Sequence, residues 1–206
     1  MKIPRAISKI LSQFQDIRHN LLIIYKFLIF IIPFLTISYY FIFVFDYLPS
    51  NLSGKYGALV IAYFVPPAGK ESIIPLMLTD NTLGPSIPAW IVASTIVIMD
   101  VICSFIIAYN WWFVEFILRH IPFLNRGYVW LQKKSEKYRK RGWITISLII
   151  FMIIPFQGTG GINTPILARL LGVKAKKTVL ICLTGSSVTT ILWIFWWFGF
   201  FNNIIG

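Results

Sequence analysis

The chain has 206 residues, 57% of them hydrophobic and 13% charged, with a mean hydropathy of +0.76. A soluble domain carries about 25% charged residues, so a soluble globular protein is excluded. The formal net charge of +12, from 19 Lys and Arg against 7 Asp and Glu, lies beside the apolar runs, which is the pattern of cytoplasmic flanks against anionic lipid and not of a nucleic-acid binder.

Taken in chain order, residues 1–20 are predicted to form a basic amphipathic helix on the membrane surface. Ile3, Ile7, Ile10, Leu11, Phe14 and Ile17 repeat at helical spacing, with Lys2, Arg5, Lys9 and Arg18 largely elsewhere on the wheel. The run at 21–45 is too long for a signal-peptide core and has no small-residue cleavage site. Residues 27–45 carry no charge and form the clearest spanning helix, which Pro33 is expected to kink. A polar loop is expected over 46–54, from Asp46, Pro49, Asn51, Ser53 and Gly54; Asn51-Leu52-Ser53 matches a glycosylation acceptor only formally.

Residues 56–80 are apolar at both ends but read Val65-Pro66-Pro67-Ala68-Gly69-Lys70-Glu71 in the middle. Two prolines, a glycine and two charges do not suit the centre of a spanning helix. They suit a re-entrant hairpin buried in protein or facing a watery cavity. After a turn at Leu83-Gly84-Pro85, residues 87–118 are predicted as one long helix with Asp100 near its middle and Trp111 and Trp112 near its far end. The basic stretch 119–141 is the cytoplasmic loop, with Tyr128, Leu131 and Tyr138 suited to one face of a surface helix.

Residues 143–154 are apolar again and run into Pro155-Phe156-Gln157-Gly158-Thr159-Gly160-Gly161, a second broken segment that continues to Gly172. Residues 178–201 form the last spanning helix. The broken segments align: Pro66 with Pro155 and Gly69 with Gly158 at an offset of 89, Pro75 with Pro165 at 90, Leu83-Gly84 with Leu171-Gly172 at 88. Each precedes a long apolar helix with a Trp pair near its end, Trp111-Trp112 and Trp196-Trp197.

With the N-terminus and the 119–142 loop in the cytoplasm, every dense basic cluster falls inside and the two hairpins enter from opposite faces. The expected architecture is therefore all-α. It is a polytopic cell-membrane protein with about three full transmembrane helices and two oppositely oriented re-entrant hairpins, an inverted repeat. The surface helix 1–20 precedes a single transmembrane domain over 21–206, with repeat one at about 56–118 and repeat two at about 143–201. Paired broken segments of this kind point to a transporter binding site.

Glu71-Ser72-Ile73-Ile74-Pro75-Leu76, and the stretch from Ile154 through Pro155-Phe156-Gln157-Gly158-Thr159-Gly160-Gly161 to Leu170-Leu171-Gly172, resemble the small multidrug export family, a branch of the DedA-like membrane proteins. The resemblance covers roughly residues 56–200. It implies two facing re-entrant hairpins and membrane transport, and the DedA-like relatives suggest a lipid-linked or phospholipid substrate coupled to protons or sodium. Where DedA proteins carry arginines around the second hairpin's proline, this chain has Met152 and Gly158, and the nearest arginine is Arg169.

Carboxylates within apolar segments are functional candidates by default. Glu71 is the first choice for a proton or cation site, with Lys70 beside it, and Asp100 the second; the competing readings are a structural ion pair or a shallower hairpin for Glu71, and a structural cap on the half-helix ends of a hairpin for Asp100. Gly69, Gly158, Gly160 and Gly161 permit close backbone approach, where exposed N–H groups could bind an anion. Gln157, Thr159 and Asn163 could add side-chain contacts, and Arg169 completes the candidate substrate or ion site. Gly185, Ser186, Ser187, Thr189 and Thr190 read as a helix-packing face.

Cys103 and Cys182 lack metal-ligand spacing, and His19 and His120 have no nucleophile partner, so no metal, cofactor or covalent chemistry is expected. The functional expectation is an ion-coupled transporter of a lipid-linked or amphipathic substrate, embedded in the lipid bilayer in contact with anionic lipids and open to homo-oligomer formation. The alternatives are a membrane assembly or scaffold subunit, a lipid-headgroup enzyme, and an uncoupled scramblase.

Overall fold

The computed structural model describes residues 5–65, 68–80, 82–122, 125–126, 129, 133, 143–154 and 160–201. Its first element, α1 (Arg5–Tyr47), runs 43 residues without a break, so residues 5–20 and the span belong to one helix that contains Pro33. The span is strongly apolar and mostly outward-facing, with Leu35, Tyr39 and Ile42 all exposed. Such a surface is disfavoured in water and suited to lipid.

The polar loop expected over 46–54 is shorter than its composition implied. α2 (Ser50–Ala62) starts straight after Pro49, because Leu48 and Leu52 are buried and draw the chain back onto the core. α2 and the next helix, α3 (Lys70–Leu78), have 13 and 9 residues. At about 1.5 Å of rise per residue neither can cross a bilayer core. The break between them begins at Tyr63 and ends at Gly69, the α3 N-cap, where the sequence places Pro66 and Pro67.

The helix expected over 87–118 is two helices. α4 (Ala89–Tyr109) ends at Asn110, and α5 (Trp111–His120) starts after it. Asn110 is buried, sits at φ −100° and ψ 36°, and turns its side-chain amide back to Ile106 O at 3.0 Å. An asparagine amide that competes for backbone carbonyls is the physical reason for the interruption.

α6 (Ile144–Ile153) leads to the second broken region, of which residues 155–159 lie outside the described residues. α7 (Asn163–Leu170) follows and closes in a Schellman turn: Gly172 has φ 78° and donates to Arg169 O, while Val173 N donates to Ala168 O. α8 (Ala175–Trp196) continues as a π-helical turn over Trp197–Phe201.

Among the described residues, three helices are long and apolar enough to cross a membrane: Ile24–Tyr47, Ala89–Tyr109 and Ala175–Gly199. The most extensive packing is between α4 and α8. α1 lies on α4, and α6 lies on α8. The short helices cross over, since α3 packs on α8 and α7 packs on α4 as well as on α8. One apolar cluster joins α1, α2, α3 and the start of α4 through Val44, Tyr56, Ile74, Met77 and Ile91. A second, around Leu148, Ala168 and Ile181, joins α6, α7 and α8.

Candidate functional site

A carboxylate in the middle of an apolar helix needs compensating donors or it will not stay ionised. Asp100 is 1% exposed, and four groups from four parts of the chain reach it. The Lys70 ammonium lies 2.6 Å from Oδ2. Ser186 donates to the same oxygen at 2.6 Å and accepts from Lys70 at 3.0 Å. Tyr63 donates its hydroxyl to Oδ1 at 2.7 Å, and the Gly161 amide donates to Oδ1 at 3.0 Å.

Each donor has a local reason for its place. Tyr63 is the C-cap of α2 and Lys70 opens α3, so the break between them brings both side chains to one point. A cation in the first turn of a helix opposes the helix dipole, which makes the Asp100 carboxylate a required partner for Lys70. Ser186 sits mid-helix on α8, on the face that packs against α4. Gly161 lies just before α7 and must be glycine: a Cβ there would fall on Asp100 Cα and within 2.7 Å of its carbonyl and Oδ1 oxygens. At Gly160 a Cβ would meet Tyr63 and Asp100 only at 3.5 and 3.8 Å, an ordinary contact.

Of the residues singled out from the sequence, Lys70, Asp100 and Gly161 meet at this point, with Gly160 beside them. Glu71 is half-buried one residue along, its carboxylate folded over Gly69, where a side chain would fit only if that carboxylate moved aside. Among the described residues it has no ion-pair partner. Gln157, Gly158 and Thr159 lie outside the described residues. Asn163 is exposed at the start of α7. Arg169 is elsewhere, lying over the Trp111 ring at 5.6 Å and donating to Val173 O at 2.8 Å. Burial lowers the pKa of its guanidinium from the ordinary value, with Glu115 opposing.

Tyr63 was not singled out, since a tyrosine closing an apolar helix carries no sequence mark. Ser186 was read from the sequence as part of a helix-packing face, and its hydroxyl also reaches the Asp100 carboxylate.

A second buried cation fixes the turn that follows α3. Lys55, 2% exposed, donates to Thr79 O at 2.5 Å, Pro85 O at 2.8 Å and Gly84 O at 3.1 Å. Burial lowers its pKa from 10.5, against the opposing pull of Asp80. Hydroxyl bridges tie α1 and α2 to α4: Tyr40 to Ser94 at 2.7 Å and to Thr95 at 2.9 Å, and Tyr56 to Thr95 at 3.0 Å. An apolar groove of about 620 Å³ opens between α6 and α7, lined by Trp143, Ser147, Phe151, Leu167 and Leu171 among others. Among the described residues there is no cluster of His, Cys, Asp and Glu able to hold a metal.

The family model described as "Putative small multi-drug export protein" matches residues 74–192, more than half of the chain. The match takes in Asp100, Gly160, Gly161 and Ser186 and begins after Tyr63, Lys70 and Glu71. No curated protein and no solved structure matches the chain.

Proposed function

This chain belongs to the small multi-drug export protein family and is a multi-pass membrane protein; from that premise we propose that it is an ion-coupled transporter of a lipid-linked or amphipathic substrate. The observation that carries the reading is the buried Lys70–Asp100 pair. It joins a break between two short helices to the middle of a spanning helix. A charge pair at that depth is expensive to bury and is rarely kept for packing alone.

The two broken segments act as re-entrant hairpins in an inverted repeat. Three features support this. The short helices α3 and α7 each pack across onto a spanning helix of the opposite repeat. Lys70 of the first repeat reaches Ser186 of the second, while Gly161 of the second reaches Asp100 of the first. Among the described residues the only positive-φ positions are Gly84 and Gly172, which correspond in the repeat alignment.

In this mechanism Asp100 is held by four donors in the resting state. Protonation, or a sodium ion competing with Lys70, releases Oδ2 from the ammonium. Lys70 and α3 are then free to move relative to α4 and α8, which changes the face to which the hairpin tips open. Glu71, next to Lys70 and without an ion-pair partner among the described residues, is the entry carboxylate. The α6–α7 groove takes the apolar part of the substrate. The DedA-like resemblance supports a substrate among lipid carriers or phospholipids. The dense basic clusters support an N-terminus and a 119–142 loop on the cytoplasmic side.

The test is translocation in proteoliposomes of labelled polyprenyl phosphate, phospholipids and lipophilic cations, with and without a pH or sodium gradient. Gradient-dependent flux of one class identifies the substrate. No flux above empty liposomes, with folded and inserted protein, would overturn the reading in favour of an assembly role.

A further inference from the structure

The seam between α4 and α8 holds more polar groups than the ion pair uses. α8 runs antiparallel to α4, since Trp193 and Trp197 near its end pack on the cluster that contains Ile91 and Val92 at the start of α4. Along this seam the buried polar side chains recur every four residues, a rise of about 6 Å. On α4 they are Asp100 and Ser104, and on α8 they are Cys182, Ser186 and Thr190. Thr190 therefore lies one level to one side of the Asp100–Ser186 contact, and Ser104 one level to the other.

Ser104 and Thr190 are each 0% exposed, and neither Ser104 Oγ nor Thr190 Oγ1 has a nitrogen or oxygen hydrogen-bond partner among the described residues. The Cys182 thiol, a weak hydrogen-bonding group, lies beside Ser104. Other hydroxyls on the same helices satisfy themselves on their own backbone: Ser94 on Ile91 O, Thr178 on Lys174 O and Thr189 on Gly185 O. These two do not. An enclosed hydroxyl without a strong partner is costly, and buried polar groups of this kind are usually bridged by ordered water.

We propose that the α4–α8 seam binds a file of water molecules through Ser104 and Thr190, and that this file is the route by which protons reach the Lys70–Asp100 pair. The proposal deepens the transporter reading and rests on it for the use of the route; the hydration itself is measurable without transport. Water bridging Thr190 to Ser186 on one side and Ser104 to Asp100 on the other would connect the carboxylate to both ends of the seam. The titratable groups that face Asp100 are Lys70 from α3, Tyr63 from the end of α2, with Glu71 behind it, and Cys103 and Cys182 along the seam. Of these only Lys70 and Tyr63 contact the carboxylate directly.

X-ray radiolytic footprinting of the full chain in lipid nanodiscs tests the proposal, because a buried side chain is oxidised rapidly only where water lies beside it. Met152 is 1% exposed and packs on Gly185, next to Ser186; Met77 is 0% exposed and sits in the apolar cluster. Met152 is expected to be oxidised severalfold faster than Met77. In the Ser104→Ala/Thr190→Val variant the Met152 and Cys182 rates are expected to fall severalfold while the Met77 rate holds, which reports an intact fold. Equal rates for Met152 and Met77 in the wild type, or rates unchanged in the variant, would overturn the proposal. So would a rise in Tm for Thr190→Val, since removing an unpaired hydroxyl stabilises a dry seam and destabilises one that binds water. No gradient or substrate is involved, so an absence of flux leaves this result standing.

Discussion

Lys70 Nζ lies 2.6 Å from Asp100 Oδ2, although Lys70 opens a nine-residue helix and Asp100 sits in the middle of a 21-residue one. The contact ties the start of α3 to the middle of α4. It also sets a clear energetic problem. Either charge alone is unacceptable at that depth, so each residue is conditional on the other.

Removing one partner should therefore destabilise the protein far more than removing both. Lys70→Met or Asp100→Asn alone leaves a buried group uncompensated, and each is expected to lose about 3–5 kcal/mol. The double variant should recover most of that loss, because the amide carbonyl that replaces the Asp100 carboxylate can still accept from Tyr63 and Gly161. Thermal unfolding in detergent of the two single variants and the double variant checks this; additive losses would mean that the two residues do not act as a pair.

Gly161 and Gly160 should respond unequally to the same small change. Gly161→Ala forces a methyl onto the Asp100 backbone and is expected to lose about 1–3 kcal/mol or to fold poorly. Gly160→Ala meets only ordinary contacts and should be within about 0.5 kcal/mol of wild type. Unfolding midpoints of the two variants, measured side by side, decide the point.

Tyr63→Phe removes one hydroxyl and leaves the ring in place. A hydrogen bond to a carboxylate contributes about 1.5–3 kcal/mol, so stability should fall by that order. Gradient-driven flux should fall with it, because Asp100 then has one donor fewer to hold it in the resting arrangement. Unchanged stability would remove Tyr63 from the site.

Lys55→Met strips the ammonium that holds Thr79 O, Gly84 O and Pro85 O together. The turn after α3 should open. The expected signs are a loss of about 1.5–3 kcal/mol and faster protease cleavage within 79–85. A cleavage pattern like that of the wild type would show that the turn holds without the ammonium.

The parts of this molecule that could be read from its sequence are those where a residue type conflicts with its surroundings. Lys70 and Asp100 stand out because a charge in an apolar run needs a partner, and Pro66, Pro67 and Gly69 because they interrupt a helix. Asn110 gave no such sign: it is one polar residue between aromatic ones, and it ends a helix only through its own side-chain bond to Ile106. The 46–54 stretch misled in the other direction, since Ser50, Asn51, Ser53 and Gly54 favour loops locally while buried Leu48 and Leu52 fold them into α2. Tyr63, and the role of Ser186 beyond helix packing, could be assigned only from three dimensions, because what matters is which residue they face.

The central claim is that the Lys70–Asp100 pair couples an ion gradient to movement of substrate. The most direct measurement is gradient-driven flux in proteoliposomes, comparing wild type with the Lys70→Met/Asp100→Asn double variant. Thermal unfolding of both proteins confirms that each is folded. Wild-type flux is expected to rise with a pH or sodium gradient, and the folded double variant is expected to show no gradient dependence. Full gradient-driven flux in that variant would contradict the central claim and reduce the pair to a structural tie.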